Sequence, residues 1–151
     1  MFAAALMTLI SLPTRKSTNA FDTPTLNAVN VTFELPKCDD RDHDTTTKVW
    51  IVNGSTTIAE NDSVAPDVQF SDPGTYGPYS LPLQNTISKT DWPNTKVNMH
   101  ITPVGHDTWC TKIHIDALFS DNSHIKTNNC SVIKISESNP DYSFPTNACS
   151  E

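Results

Sequence analysis

The chain has 151 residues, with ten Lys and Arg against seventeen Asp and Glu and a formal net charge of −7. That is a one-domain length, and an acidic chain without a basic run lacks the cations that nucleic acid demands. Four glycines and eleven prolines exclude a collagen-like repeat, the aromatic and β-branched content excludes a wholly disordered chain, and no segment approaches the ~20 apolar residues of a membrane-spanning helix.

Residues 2–12 form a short apolar run, and Thr18-Asn19-Ala20 follows as a small-residue cleavage site. Together they predict a secretory signal over residues 1–20, although no Lys or Arg precedes the run and Arg15 and Lys16 come after it. The alternative is a buried first strand or helix, or a truncated gene start. Residues 21–28 are expected to be a linker, residues 29–137 a β-sandwich domain, and residues 138–151 an irregular tail.

From Val29 to Leu35 apolar and polar residues alternate, with Val29, Val31, Phe33 and Leu35 on one face. This is the period of a half-buried strand. Residues 47–52 predict a second strand, and Asn53-Gly54 is a tight-hairpin signal into a third at 55–59. Residues 67–70 read as a short strand. Residues 71–79, with Pro73, Gly74, Gly77 and Pro78, read as a loop. Residues 79–83 predict an edge strand, because Pro82 lacks a ladder donor. Val97, Met99 and Ile101 mark a strand over 95–104. Ile113, Ile115, Ala117 and Phe119 give the inward face of a long strand over 109–119, with Lys112, His114 and Asp116 outward. Residues 131–137 make the last strand. No stretch carries a helical period. Seven or eight short strands separated by turn residues predict an all-β fold, an antiparallel β-sandwich with Greek-key connections.

The sequons at Asn30, Asn53 and Asn61 are expected N-glycosylation sites on a secreted chain. A fourth, at Asn129, is followed by Cys130, and a bridged cysteine there restricts access. The four cysteines allow three pairings. The strand over 29–37 leads into residues 38–45, and the strand over 109–119 starts after His106-Asp107-Thr108. If these loops share a rim, Cys38 meets Cys110. Cys130 is then expected at the opposite rim, within reach of Cys149. The predicted pairs are therefore Cys38–Cys110 and Cys130–Cys149.

The most unusual local chemistry is Cys38-Asp39-Asp40-Arg41-Asp42-His43-Asp44-Thr45, with four carboxylates in six residues. Crowded carboxylates repel, and the loop must splay into water, raise some pKa values or hold a cation. Asp40, Asp42 and Asp44, joined by Asp107 from the second His-Asp-Thr loop, are the candidate metal ligands, with calcium the candidate ion. An EF-hand is excluded: Thr45 and Ile51 stand where its glycine and bidentate glutamate belong, and no helix flanks the loop. The alternative is that Asp and Thr close Asx and ST turns ahead of strands. His43, His100, His106 and His114 lack zinc-ligand spacing.

Val31-Thr32-Phe33, the Asp39–Asp44 loop, Lys48-Val49-Trp50-Ile51, the 67–70 segment and Gly105-His106-Asp107-Thr108-Trp109 together resemble the PLAT/LH2 and C2 class of β-sandwich modules over residues 29–119. The resemblance implies calcium held by Asp-rich rim loops and contact with lipids or partner proteins. No apolar loop suited to entering a bilayer is visible, which argues against membrane contact.

No Gly-x-Ser-x-Gly elbow or zincin helix occurs, so the chain is read as non-enzymatic. The expected function is a secreted, monomeric binding module, calcium-dependent or not, for an extracellular lipid, glycan or protein ligand. The alternative is an extracellular effector, inhibitor or surface antigen acting by metal-free protein–protein contact. Trp50, Trp92, Trp109, Tyr76 and Tyr79 are its candidate contact aromatics; core packing is the alternative for the tryptophans and is favoured for Trp109, which matches the inward face of its strand.

Overall fold

A computed structural model describes residues 23–38 and 41–150, and the expected signal over residues 1–20 lies outside these. Among the described residues ten antiparallel strands form two sheets. They are β1 (Leu26–Leu35), β2 (Thr46–Asn53), β3 (Thr56–Asn61), β4 (Gly74–Ser80), β5 (Lys96–Thr102), β6 (Thr108–Phe119), β7 (His124–Asn128), β8 (Ile133–Ser136), β9 (Asp141–Pro145) and β10 (Cys149–Ser150). One sheet runs β10-β7-β6-β1-β4, with β8 also paired to β6, and the other runs β3-β2-β5-β9. The all-β sandwich is as the alternation predicts.

The inward residues of both sheets meet in one core. Val29, Val31, Phe33 and Leu35 of β1 face Val49 and Ile51 of β2 and Val97, Met99 and Ile101 of β5, and all are buried. Phe33, Phe70 and Trp109 cluster with ring centroids 5.0–5.6 Å apart, within the range where aromatic pairs add to simple burial. Trp92, expected as a contact aromatic, is fully buried and packs edge-on to Phe119 at 6.0 Å.

The sequence and the structure part at Gly- and Pro-rich segments. The expected loop over 71–79 is mostly strand β4. It sits at the edge of its sheet, where Pro78 needs no ladder donor. A register shift opposite Val31–Phe33 places Gly77 at φ +121°, and a Cβ there would come within 2.8 Å of the Val31 carbonyl. Only glycine fits that approach. The expected strand over 67–70 is reduced to one bridge, Arg41 to Phe70. Ala65 and Asp67 take positive φ, which turns the chain out of the extended region.

The tail is ordered by pairing rather than irregular. β9 lies along β5, with Phe144 opposite Val97, and β10 lies along β7. Pro145 ends β9, an edge strand where a missing donor is tolerated, and the carbonyl of Pro140, just before it, accepts the Ile101 amide at 3.0 Å. Buried Thr146 donates its hydroxyl to the Trp92 carbonyl at 2.7 Å and anchors the turn between β9 and β10. At the other end β1 begins at Leu26, inside the expected linker, and Leu26 N–H bonds the Ile87 carbonyl.

Both disulfides pair as expected, Cys38–Cys110 and Cys130–Cys149. The second is not at the opposite rim. Cys130 follows β7 where Asn129 N–H meets the Ile113 carbonyl, at mid-height of β6, and takes φ +66°. Structural disulfides of this kind persist in oxidising compartments. No helix of the described residues is long and apolar enough to cross a membrane.

Candidate functional site

The Cys38–Cys110 bridge ties the exit of β1 to the start of β6, and this brings the two His-Asp-Thr loops to one rim. Asp107 reaches the 41–45 turn. Its Oδ2 accepts the Thr45 hydroxyl and, at 3.4 Å, the Asp42 amide. Asp42 O in turn accepts the Thr45 amide at 3.3 Å, closing the turn. Asp42, His43 and Asp44 are exposed on its outer side, and Asp40 lies outside the described residues. Among the described residues, no three His, Cys, Asp or Glu side chains are grouped to hold a metal ion.

Arg41 is the member of this loop whose burial its sequence context hides. Its guanidinium is fully buried. It donates to the carbonyls of Thr45, Ala65 and Val68, the last at 2.6 Å, and lies 4.6 Å from the centre of the Phe70 ring. Burial pushes its pKa below the ordinary arginine value, while Tyr79 and Asp107 act in the opposite direction. A guanidinium stays charged through such a shift, and its planar fork suits several carbonyls at once. A charge flanked by acids reads as solvated; the positive φ values that aim two carbonyls at it leave no trace in residue pattern.

Four of the five histidines stand beside a carboxylate: His100 and Asp141 at 2.8 Å, His106 and Glu137 at 2.9 Å, His114 and Glu34 at 3.0 Å, His124 and Asp116 at 2.7 Å. Two of these pairs lie on the outer face of the larger sheet. There a shallow groove of ≈ 350 Å³ runs between Thr32, Glu34, Thr75, Pro78, His114 and Lys126.

The outer face of the smaller sheet is built around Trp50. Val49 and Ile51 point into the core, so the pleat turns the half-buried Trp50 outward. The sheet register sets Glu60, Trp50, Asn98 and Ser143 in one row and Lys48, His100 and Asp141 in the next. Lys48 Nζ lies 5.3 Å from the Trp50 ring centre and bridges Asp62 at 2.6 Å and Glu60 at 3.3 Å. The Asp62 bond is the main cause of its raised pKa. Beside the indole, a groove of ≈ 340 Å³ is lined by Trp50, Asn98, Met99, Asp141, Tyr142 and Ser143.

The sequons differ in access. Asn53 sits at the hairpin before exposed Gly54 and Ser55, and Asn30 is half-buried on the outer side of β1. Asn61 donates its amide to the Ser80 carbonyl at 3.1 Å and accepts the Ser63 amide at 3.0 Å. Asn129 is buried, and its Oδ1 accepts the Ile113 amide at 3.0 Å.

Comparison with family models, with curated proteins and with solved structures finds no match to this chain. The candidate site therefore rests on geometry alone.

Proposed function

We propose that the protein is an extracellular, non-catalytic binding module that contacts its ligand across a sheet face rather than through a rim-bound metal. Its two disulfides fit an oxidising compartment, and its sandwich supplies a stiff frame for surface contact. The observation that carries the metal-free reading is the engagement of Asp107. The acid that would complete a calcium cage from the second loop instead accepts the Thr45 hydroxyl and the Asp42 amide. A calcium ion collects six to eight oxygens, whereas Asp107 spends Oδ2 on two bonds to the 41–45 turn at a buried position. Asp42 and Asp44 then act as the solvated outside of a turn.

The test is saturable binding of the labelled, intact protein to unpermeabilised cells and extracellular matrix, with and without chelator. Saturable binding that survives the chelator is the expected result. Loss of binding on chelation would restore the calcium-dependent module. The absence of saturable binding in both conditions would reject the module reading.

A further inference from the structure

We propose that the outer face of the four-stranded sheet, centred on Trp50, is a binding site for an uncharged oligosaccharide. The inference rests on the binding-module reading and names the ligand class and the residues that take it. Of the three tryptophans, Trp92 and Trp109 are fully buried and Trp50 is partly open to solvent. A large, half-buried aromatic ring on an outer sheet face, kept by the pleat away from the core, is a surface for stacking beside the Lys48 ammonium that lies over it. The C–H edge of a sugar ring is weakly positive and matches the negative face of an indole.

The neighbours of Trp50 select for hydroxyls over charge. In the two rows that hold Trp50 and Lys48 the ionic side chains are already paired with one another, Lys48 with Glu60 and Asp62 and His100 with Asp141, while exposed Lys96 stands in the next row on the far side of Asn98. A charged ligand seated over the Trp50 and Lys48 rows would have to break one of these pairs. Among the described residues, the Asn98 amide, the Ser143 hydroxyl and the Trp50 indole N–H make no hydrogen bond to protein. Together they offer donors and acceptors without net charge, and a planar amide both donates and accepts, as vicinal hydroxyls require. These groups line the ≈ 340 Å³ groove beside the Trp50 indole. That volume falls at the small end of the usual range for ligand pockets, about 300–1,000 Å³. An apolar protein segment would leave the amide and hydroxyl unsatisfied, at a cost an oligosaccharide avoids.

The test titrates the intact protein with neutral and charged oligosaccharides chosen from a glycan array, following indole emission and heat. Because the other two tryptophans are enclosed, an emission change reports Trp50. The expected result is binding of a neutral oligosaccharide with such a change. Trp50→Phe should abolish the change, and Trp50→Ala should weaken binding about tenfold or more, as removal of a hot-spot aromatic does. Asn98→Ala removes only a surface amide and should weaken binding with the emission response retained, which guards against a Trp50 variant that folds poorly. The proposal is overturned if only sulfated or sialylated glycans bind, if no glycan binds, or if glycan binding is indifferent to both positions. Binding to cells that persists after glycosidase treatment, yet needs Trp50, would assign the face to a protein partner. That outcome would sink the glycan while leaving the binding module intact.

Discussion

Thr45 donates its hydroxyl to the Asp107 carboxylate, joining two loops that lie 62 positions apart in the chain. Both side chains are buried, so neither group has water as a ready substitute. Asp107→Ala leaves the Thr45 hydroxyl and the Asp42 amide without their acceptor and should cost about 1–3 kcal/mol, read from urea unfolding. A double-mutant cycle with Thr45→Val should show coupling of at least ~0.5 kcal/mol. In the same samples, millimolar calcium should leave the melting temperature of the wild type unchanged. A ligand bound only by the native state must raise it, so a clear rise would place an ion at this rim.

Arg41 predicts a larger effect. Its guanidinium is shared among the carbonyls of Thr45, Ala65 and Val68 and lies over Phe70. Arg41→Leu keeps only an apolar stem and strips those carbonyls of their partner in a buried place. We expect a loss of about 3 kcal/mol or more, the scale of breaking a buried polar cluster. Arg41→Lys should recover only part of it, because an ammonium is a point donor without the planar fork. Full stability in Arg41→Leu, measured by chemical denaturation, would show that the loop repacks without the cation.

How much of this was legible in the sequence depends on where each residue sits. β1, β5 and β6 alternate apolar and polar residues because one face of each meets the core and the other meets water. The same alternation puts Trp50 outside, between Val49 and Ile51. Ends of adjacent strands define a rim, so the Cys38–Cys110 pair and the approach of Asp107 to the 41–45 turn follow from strand order. β4 and β9 are edge strands, where Gly and Pro are tolerated, and the residues that read as loop punctuation lie in or beside them. Burial of Arg41 depends on the backbone turns at Ala65 and Asp67, more than twenty residues away, and no local pattern encodes such a contact.

The turn between β6 and β7 predicts a local pH response. Asp121 accepts the Ser123 hydroxyl, the Lys89 ammonium at 2.9 Å and the Ser123 amide at 3.0 Å, and these bonds hold its pKa at about 2, below the ordinary 3.8. A carboxylate whose pKa is depressed by folding contributes stability above the unfolded value, and that contribution fades as pH falls from about 4 through about 2. Carbon-13 NMR titration of the side-chain carboxyl should give a midpoint near the lower value. Ser123→Ala, which removes the first cause, should move the midpoint upward. An Asp121 midpoint at the ordinary value in the wild type would show that the turn is open in solution.

The sequons make the final prediction. A glycan is joined through the asparagine amide nitrogen, so the folded protein can carry one only where that atom faces solvent. At Asn53 the hairpin tip leaves room, with open space around Gly54. At Asn30 the side chain stands on the outer face of β1, whose inward neighbours are Val29 and Val31. Asn61 uses its amide nitrogen to hold the Ser80 carbonyl, and occupancy there would break a contact between β3 and the end of β4. The Asn129 amide nitrogen is enclosed with no partner among the described residues, beside the Cys130–Cys149 bridge, and has no space for a sugar. Peptide mapping of protein secreted from a glycosylating host, with enzymatic deglycosylation in heavy-oxygen water to mark used sites, should find Asn53 and Asn30 occupied and Asn61 and Asn129 bare. A glycan on Asn129 in folded, disulfide-intact protein would contradict the packing of β7 against β6, since the Asn129 side chain also accepts the Ile113 amide at that seam.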